Sequence, residues 1–540
     1  MCFAHRAIPP RPEGRGFPRN RMNSKISRRT APLTRIATAI LVAGALHASA
    51  ASAVNFQYRQ FIPGLMSGAT GQAPDVVTEI LMALTGGPAL PAGEVNFPYN
   101  YDLNQLLSVT GDKAYSAANV AWSLSAGALP AGLSLGSDGV ISGTPTTKDT
   151  VGSSFQVLST YKTKTGQQAY TIVVNGAVLH VTQISAGSYH TCAITTAGGV
   201  KCWGGDDYGQ LGNDSSLASK PTPVDVLGLT SGVARISAGG SHTCAVTTTG
   251  GAKCWGLDTY GQLGNDASAA SQATPVDVLG LTSGIASISA GGNHTCAVTT
   301  TGGAKCWGRG DGGQLGNDVA VANKATPVDV LGLTSGVANI STGDSHSCAV
   351  TTTGGAKCWG QDNSGQLGND AALVSQAVPV DVQGLTAGVA SISAGGYHTC
   401  VVTTAGGAKC WGYDGMGNLG NDTALSDKGT PVDVLGLSAG VASISAGGYH
   451  TCAVTSAGGA KCWGYAGSAQ LGNDTPFVNK ATPVDVQGLT YGTANISAGF
   501  RHTCAVTTSG GAKCWGYDSS GQLGNDATKA DQPTPVDVAP

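Results

Sequence analysis

The sequence predicts a nearly all-β protein: a seven-bladed β-propeller preceded by a smaller β-sandwich. Three observations predict it. A period of 52 residues runs through the last two thirds of the chain, marked by cysteine pairs ten residues apart. Each copy holds four short β-like runs, in the second copy ARISAG, HTCAVT, AKCWG and TPVDV, each set off by glycine or a polar loop. The composition is that of strands and tight turns, with 81 glycines in 540 residues, 11% charged residues and glutamate only at Glu13, Glu79 and Glu94. Helices of any length need more helix formers than this.

Taken in order, residues 1–53 are an N-terminal extension and export signal. Residues 22–53, MNSKISRRTAPLTRIATAILVAGALHASAASA, give a basic start, an apolar stretch around Ile36–Leu46 and small residues ending at Ala53. Met22 is read as the true start, since residues 1–21 fit no signal pattern; Arg28-Arg29 leaves twin-arginine export open. No later run is long enough to span a membrane, and no cysteine at the cleavage site offers a lipid anchor. A secreted, periplasmic or surface location is expected. Residues 1–53 carry nine Lys/Arg against one Glu, so the chain's net charge of −3 leaves about −11 for the remainder. An acidic surface repels phosphate backbones, which argues against a nucleic-acid partner.

Residues 54–85 are read as a linker and 86–176 as the sandwich. The stretch WSLSAGALPAGLSLGSDGVISGTPTT (122–147) carries the core LP-x-GL-x-L…DG-x-I-x-G-T-P. It resembles an immunoglobulin-like domain common in bacterial surface proteins. That resemblance implies a cadherin-like sandwich used as a spacer or adhesion unit. Some such domains bind calcium, though no acidic cluster here demands it. The strand-like YTIVVNG (170–176) lies 52 residues before TPVDVLG (222–228), so it ends the sandwich, helps to close the ring, or both.

Residues 177–540 hold seven copies without an insertion or deletion. Each carries a Trp-Gly after its second cysteine and an Asn-Asp pair, from Asn213-Asp214 to Asn525-Asp526. Four strands per repeat, seven times over, predict blades packed face to face around a channel; a linear β-solenoid is the alternative. The pattern H-T-C-A-V-T-x-x-G-x-A-K-C-W-G, then D-x-x-G-Q-L-G-N-D, resembles the repeat of the regulator of chromosome condensation family. The resemblance implies a seven-bladed propeller. Asn418 stands for Gln in the fifth copy, Ala469 for the first Gly in the sixth, and the cysteines are additions to the family pattern. The family's founding member is a guanine-nucleotide exchange factor for a nuclear GTPase that binds chromatin. Exchange activity is an alternative by analogy, set against the export signal, the acidic charge and the absence of an inserted wedge.

The cysteines pair as Cys192 with Cys202, Cys244 with Cys254, Cys296 with Cys306, Cys348 with Cys358, Cys400 with Cys410, Cys452 with Cys462 and Cys504 with Cys514. A hairpin turning at Thr248-Thr249-Gly250 sets Val246 against Ala252 and Cys244 against Cys254, at a separation a disulfide accepts. An exported protein should oxidise such a pair. A zinc site would have Cys, Cys and His242 but lacks a fourth ligand. A nucleophilic cysteine would need one copy with its own base, and all seven are alike. The histidines at 190, 242, 294, 346, 398, 450 and 502 either bond to backbone inside each blade or ring the channel, able to bind metal or sense pH. The Asn-Asp pairs are read as turn caps, with calcium as an alternative.

Catalysis needs an asymmetric set of groups, and residues 177–540 contain no glutamate. No enzyme and no cofactor is expected. The loops differ between copies and suit recognition of a protein or glycan. Candidates are Tyr189, Tyr208, Tyr260, Arg309, Asp311, Tyr397, Tyr413, Tyr449, Tyr465, Arg501 and Tyr517. Arg309-Gly310-Asp311 also spells the tripeptide that integrins read. A secreted hydrolase or lyase with its site at the channel mouth is the alternative from another class.

Overall fold

Alternating burial first shows in the computed structural model at Ile80, just after its described region begins. The structure describes residues 79–540 apart from short loop stretches at 214–216, 267–269, 319–321, 371–372, 422–424, 474, 476 and 526–528. The predicted signal segment, Arg28-Arg29, Cys2 and most of the predicted linker lie outside the described residues.

The sandwich is built from β1 (Leu81–Leu84), β2 (Gly93–Glu94), β3 (Tyr99–Asp102), β4 (Leu107–Thr110), β5 (Ala121–Gly127), β6 (Leu133–Leu135), β7 (Val140–Gly143), β8 (Asp149–Tyr161) and β9 (Lys164–Asn175). One sheet runs β2-β9-β8-β5, a second β3-β7-β6, and β1 pairs with β4. The first strand therefore falls inside the stretch read as linker; its four residues, LMAL, are too short and too exposed to announce themselves in sequence. Trp122, Ile141, Phe155, Val157, Tyr170 and Ile172 pack the centre. The Trp122 indole donates to Asn104 Oδ1 at 3.0 Å, which satisfies its one polar atom. YTIVVNG belongs to β9 and pairs with β8 and β2, so it ends the sandwich and adds no strand to the ring.

Blade 1 consists of β10 (Val181–Ala186), β11 (His190–Thr195), β12 (Val200–Gly204) and β13 (Lys220–Asp225), hydrogen-bonded in that order. Six further blades repeat it. Burial explains the sequence of each strand. The second strand, His242–Thr247 in blade 2, is buried at five of its six residues because neighbouring blades cover both faces. The outer fourth strand is half-buried and holds the repeat's proline, tolerated there because an edge position needs no N–H for the ladder.

The predicted hairpin register holds: Cys244 faces Cys254 and Val246 faces Ala252. Thr247 N–H donates to Gly251 O at 2.8 Å, which puts the cysteines on a narrow, non-hydrogen-bonded rung. The same rung recurs in each blade. Cys192 bonds to Cys202, Cys244 to Cys254, Cys296 to Cys306, Cys348 to Cys358, Cys400 to Cys410, Cys452 to Cys462 and Cys504 to Cys514. In all seven disulfides the Cα atoms lie 4.1 Å apart. Every bridge is fully buried beneath the tryptophan of the next blade. Cys192 and Cys202 pack with Trp255, Cys296 and Cys306 with Trp359, and Cys504 and Cys514 of blade 7 with Trp203 of blade 1. The ring is closed.

Hydrogen bonds say the same in three circuits. Around the channel, Ser188 N–H donates to Gly239 O, Gly240 to Gly291, and so on round to Phe500 N–H, which donates to Gly187 O at 3.1 Å. Outside this, the penultimate serine of each first strand accepts from the next blade, as Ser185 Oγ from Ala238 N–H and Ser497 Oγ from Ala186 N–H. Furthest out lie the histidine bonds described below. No strand is exchanged between chain ends. Instead the segment after the sandwich closes blade 7: Ala512 N–H donates to Leu179 O at 2.9 Å, as Val200 N–H does to Leu229 O in blade 1.

Candidate functional site

Chain direction sorts the loops onto two faces. The turns between first and second strands and the long loops after Trp-Gly share one face, here the loop face. The Thr-Thr-Gly hairpins and the Leu-Thr turns between blades share the other. The sandwich joins that second face: Glu94 Oε1 accepts from Val178 N–H and meets His180 Nε2, both at 3.0 Å, while Phe97 stacks on the His180 ring at 4.0 Å. The loop face is left uncovered by the sandwich.

Sevenfold groups go into the scaffold. Each repeat histidine is fully buried. Thr243 Oγ donates to Gln210 O at 2.9 Å, so its oxygen is free to accept from His190 Nε2–H at 2.8 Å. The same bond recurs in every blade and closes from His502 to Thr191. The partner is a hydroxyl of the next blade and not the backbone of its own. The histidines do not line the channel, which is walled by the Ala-Gly-Gly turns. Burial pushes their pKa values down to about 3 or 4, and each Nδ1 has no hydrogen-bond partner. They are neutral at physiological pH and neither ligate nor switch. The motif aspartates likewise cap loops: Asp258 Oδ1 accepts from Leu263 N–H at 2.9 Å, and burial pushes its carboxyl up to about 6. Among the described residues no three His, Cys, Asp or Glu gather as a metal site. Of the Asn-Asp pairs, Asp214, Asp422, Asp474 and Asp526 lie outside the described residues. Asp266 and Asp370 have φ near +55°, the left-handed turn conformation short polar residues tolerate.

The motif glutamine shows what one copy lacks. In six blades its Oε1 accepts from the N–H two residues back, as Gln262 from Tyr260 at 2.9 Å. Asn418 is one methylene shorter, and both its side-chain polar atoms are buried without partners. Asn418→Gln is expected to stabilise the protein by about 1 kcal/mol, read as a higher urea midpoint at constant slope.

What differs between copies gathers at the channel mouth. Tyr397, Tyr413, Tyr449 and Tyr465 form one cluster with Phe500, whose ring centroids lie 5.3–6.4 Å apart. Arg501 lies over Phe500 and Tyr517 at 5.9 and 5.8 Å. Across the mouth, Asp344 faces Arg309, which pairs with Asp311 at 2.7 Å and lies over Tyr260. The Arg-Gly-Asp tripeptide thus has its two charged ends bound to each other and its Gly310 buried. Tyr189 and Tyr208 are exposed, and Tyr189 shares a cavity at the mouth with Tyr397 and Phe500. Phe500 and Asp344 escaped the sequence reading. Both occupy a place that is glycine in four of the copies, and both lie across the glycine of the preceding blade: a Cβ on Gly448 would stand 2.6 Å from the Phe500 ring. A departure from glycine at that place was the available signal.

The regulator of chromosome condensation (RCC1) repeat model matches seven segments, 181–210, 233–262, 285–314, 337–366, 389–418, 441–470 and 494–522. The ultraviolet-B receptor UVR8 of Arabidopsis thaliana is 31% identical over 354 residues, covering 63% of this chain and 78% of that one. The chain belongs to the RCC1 repeat family. An Ig-domain model matches residues 80–175, in agreement with the sandwich. The mitochondrial RCC1 domain-containing protein RUG3 of the same plant is 29% identical over 60% of this chain and 76% of its own. Human HERC2, an E3 ubiquitin-protein ligase, is 30% identical over only 7% of its length. Among solved structures, human WBSCR16 superposes with a TM-score of 0.57 at 22% identity, over 63% of this chain and 94% of that one. Yeast RCC1 (Prp20), solved bound to Kap60, gives 0.55 at 19%, over 67% and 85%; these two show the RCC1 propeller fold. The family supports a role in protein interaction.

Proposed function

We propose that this chain is an exported, non-enzymatic interaction protein: a disulfide-braced RCC1 propeller carried on an immunoglobulin-like spacer, taking up a protein or glycan on its loop face. One observation carries the reading. Within a scaffold repeated seven times, aromatic and charged side chains collect on one sector of one face, away from the sandwich. Interfaces draw most of their energy from a few such Tyr and Arg anchors. Yeast RCC1 (Prp20), which shares the fold, was solved bound to a protein, Kap60. Buried, oxidised cysteine pairs suit an exported chain, as does the basic and apolar segment 22–53. The groups able to do chemistry are committed to the scaffold, which disfavours a hydrolase or lyase.

The test is capture on the immobilised full chain beside a Tyr449→Ala/Arg501→Ala variant of matched melting temperature. Saturable ligand uptake that falls at least about tenfold in the variant supports the reading. Equal uptake by both proteins, or turnover of the captured molecule, overturns it.

A further inference from the structure

The loop face bears a cavity of about 290 Å³ walled by Tyr397, Tyr413, Tyr449, Gln361, Asn363 and Ser364. Resting on the binding role argued above, we propose that this cavity is a subsite for a neutral sugar ring. A pyranose has a C–H face of slight positive charge and a rim of hydroxyls. The aromatic faces of the tyrosines suit the first, and amide and hydroxyl side chains suit the second, since each can both donate and accept.

The geometry separates this occupant from its competitors. An ammonium group can sit over aromatic faces within about 6 Å, and a carboxylate in the wall strengthens its hold. Here Tyr397 and Tyr449 are 5.3 Å apart between centroids, and Tyr413 meets Tyr449 edge-on at 6.0 Å. No carboxylate stands beside these rings in the wall, which favours a neutral guest over a cation. No charged side chain lines the cavity. Arg309 and Arg501 lie outside its wall, and Asp362, between Gln361 and Asn363 in sequence, turns inward to accept from Leu367 N–H. An anionic sugar finds no counter-charge there. An apolar protein anchor would strand the amides of Gln361 and Asn363 against carbon. Burial and its bond with Tyr397 raise the Tyr449 phenol to about 12, so its hydroxyl stays neutral.

The experiment is a printed array of neutral, sialylated and sulfated oligosaccharides probed with the full chain, followed by calorimetric titration of the strongest neutral hit. Saturable binding is expected, unchanged by added salt because no ion pair forms. It should fall at least about tenfold in Tyr413→Ala, less in Tyr413→Phe, which keeps the ring, and measurably in Asn363→Ala. The last two variants keep the test decisive if Tyr413→Ala fails to fold. An array that stays silent, binding confined to acidic glycans, or neutral binding that survives Tyr413→Phe and Asn363→Ala unchanged would each overturn the sugar subsite. A silent array beside capture that still depends on Tyr449 and Arg501 removes the sugar and leaves a protein partner on the loop face. Capture indifferent to those two residues removes the loop face itself.

Discussion

Acidifying the protein from pH 7 to about pH 4.5 is expected to unfold the propeller and spare the sandwich. Seven histidines are folded into a dry interior with pKa values near 3 or 4, against about 6.5 in the unfolded chain. Between those values the unfolded chain binds protons that the folded one refuses, so stability falls as the pH falls. Each histidine withdraws about 1.4 kcal/mol per pH unit below 6.5, or about 2.7 kcal/mol at pH 4.5. Forced protonation would also be locally unfavourable, because Nδ1 has no acceptor to take its new proton. Aspartates oppose the change. Burial holds Asp258, Asp414 and Asp518 near 6 and raises Asp206, Asp344, Asp362 and Asp531, so these gain stability as the pH drops towards their unfolded value. They are as many as the histidines, but they are less deeply desolvated, so each returns less than a histidine withdraws. With a typical domain held by about 5–15 kcal/mol, the histidines win. Emission from the seven buried propeller tryptophans, followed against pH, should shift red with a midpoint at about pH 4–5. The sandwich contains no histidine between residues 86 and 176 and serves as the internal control. Unchanged emission at pH 3 would sink the argument.

These histidines also mark the limit of what the chain discloses by itself. The hairpin register, the disulfide partners and the seven-blade count are local or periodic, and each could be worked out from residue spacing. The bond from His190 to Thr243 spans 53 residues and crosses a blade boundary. It exists only because the closed ring brings successive second strands side by side, so nothing within one repeat points to it. The candidate site divides in the same way. Tyr397, Tyr413 and Tyr449 could be marked singly as variable loop residues. That they wall one cavity follows from the angular step between blades, which places the turn of one blade beside the long loop of its neighbour. Phe500 and Asp344 were hidden because a glycine position draws attention when it is kept, not when it is lost. Likewise, YTIVVNG has the spacing of a blade strand, but its partners in β8 and β2 were nearer and claimed it.

Removing one bridge, by Cys244→Ala with Cys254→Ala, is expected to cost about 2–3 kcal/mol, the chain-entropy value for so short a loop. The hairpin already favours contact between these residues, which lowers the figure; the sulfurs lie against the next blade's Trp307, and losing that packing raises it. Losing all seven should cost several times as much, more than a propeller's total stability. Because every sulfur is buried, a reductant must wait for the blade to open before a thiolate can reach it. Native protein should therefore keep its melting temperature through hours in reductant, whereas protein reduced in denaturant should fail to regain it on refolding. The same dependence bears on where the chain folds. Produced with an export signal in an oxidising compartment it should yield soluble protein without free thiols; produced in a reducing cytosol it should aggregate, since seven weakened hairpins leave their tryptophans exposed. Soluble, fully reduced protein with an unchanged melting temperature would show that the bridges brace nothing, and with them would go the strongest physical ground for placing the chain outside the cell.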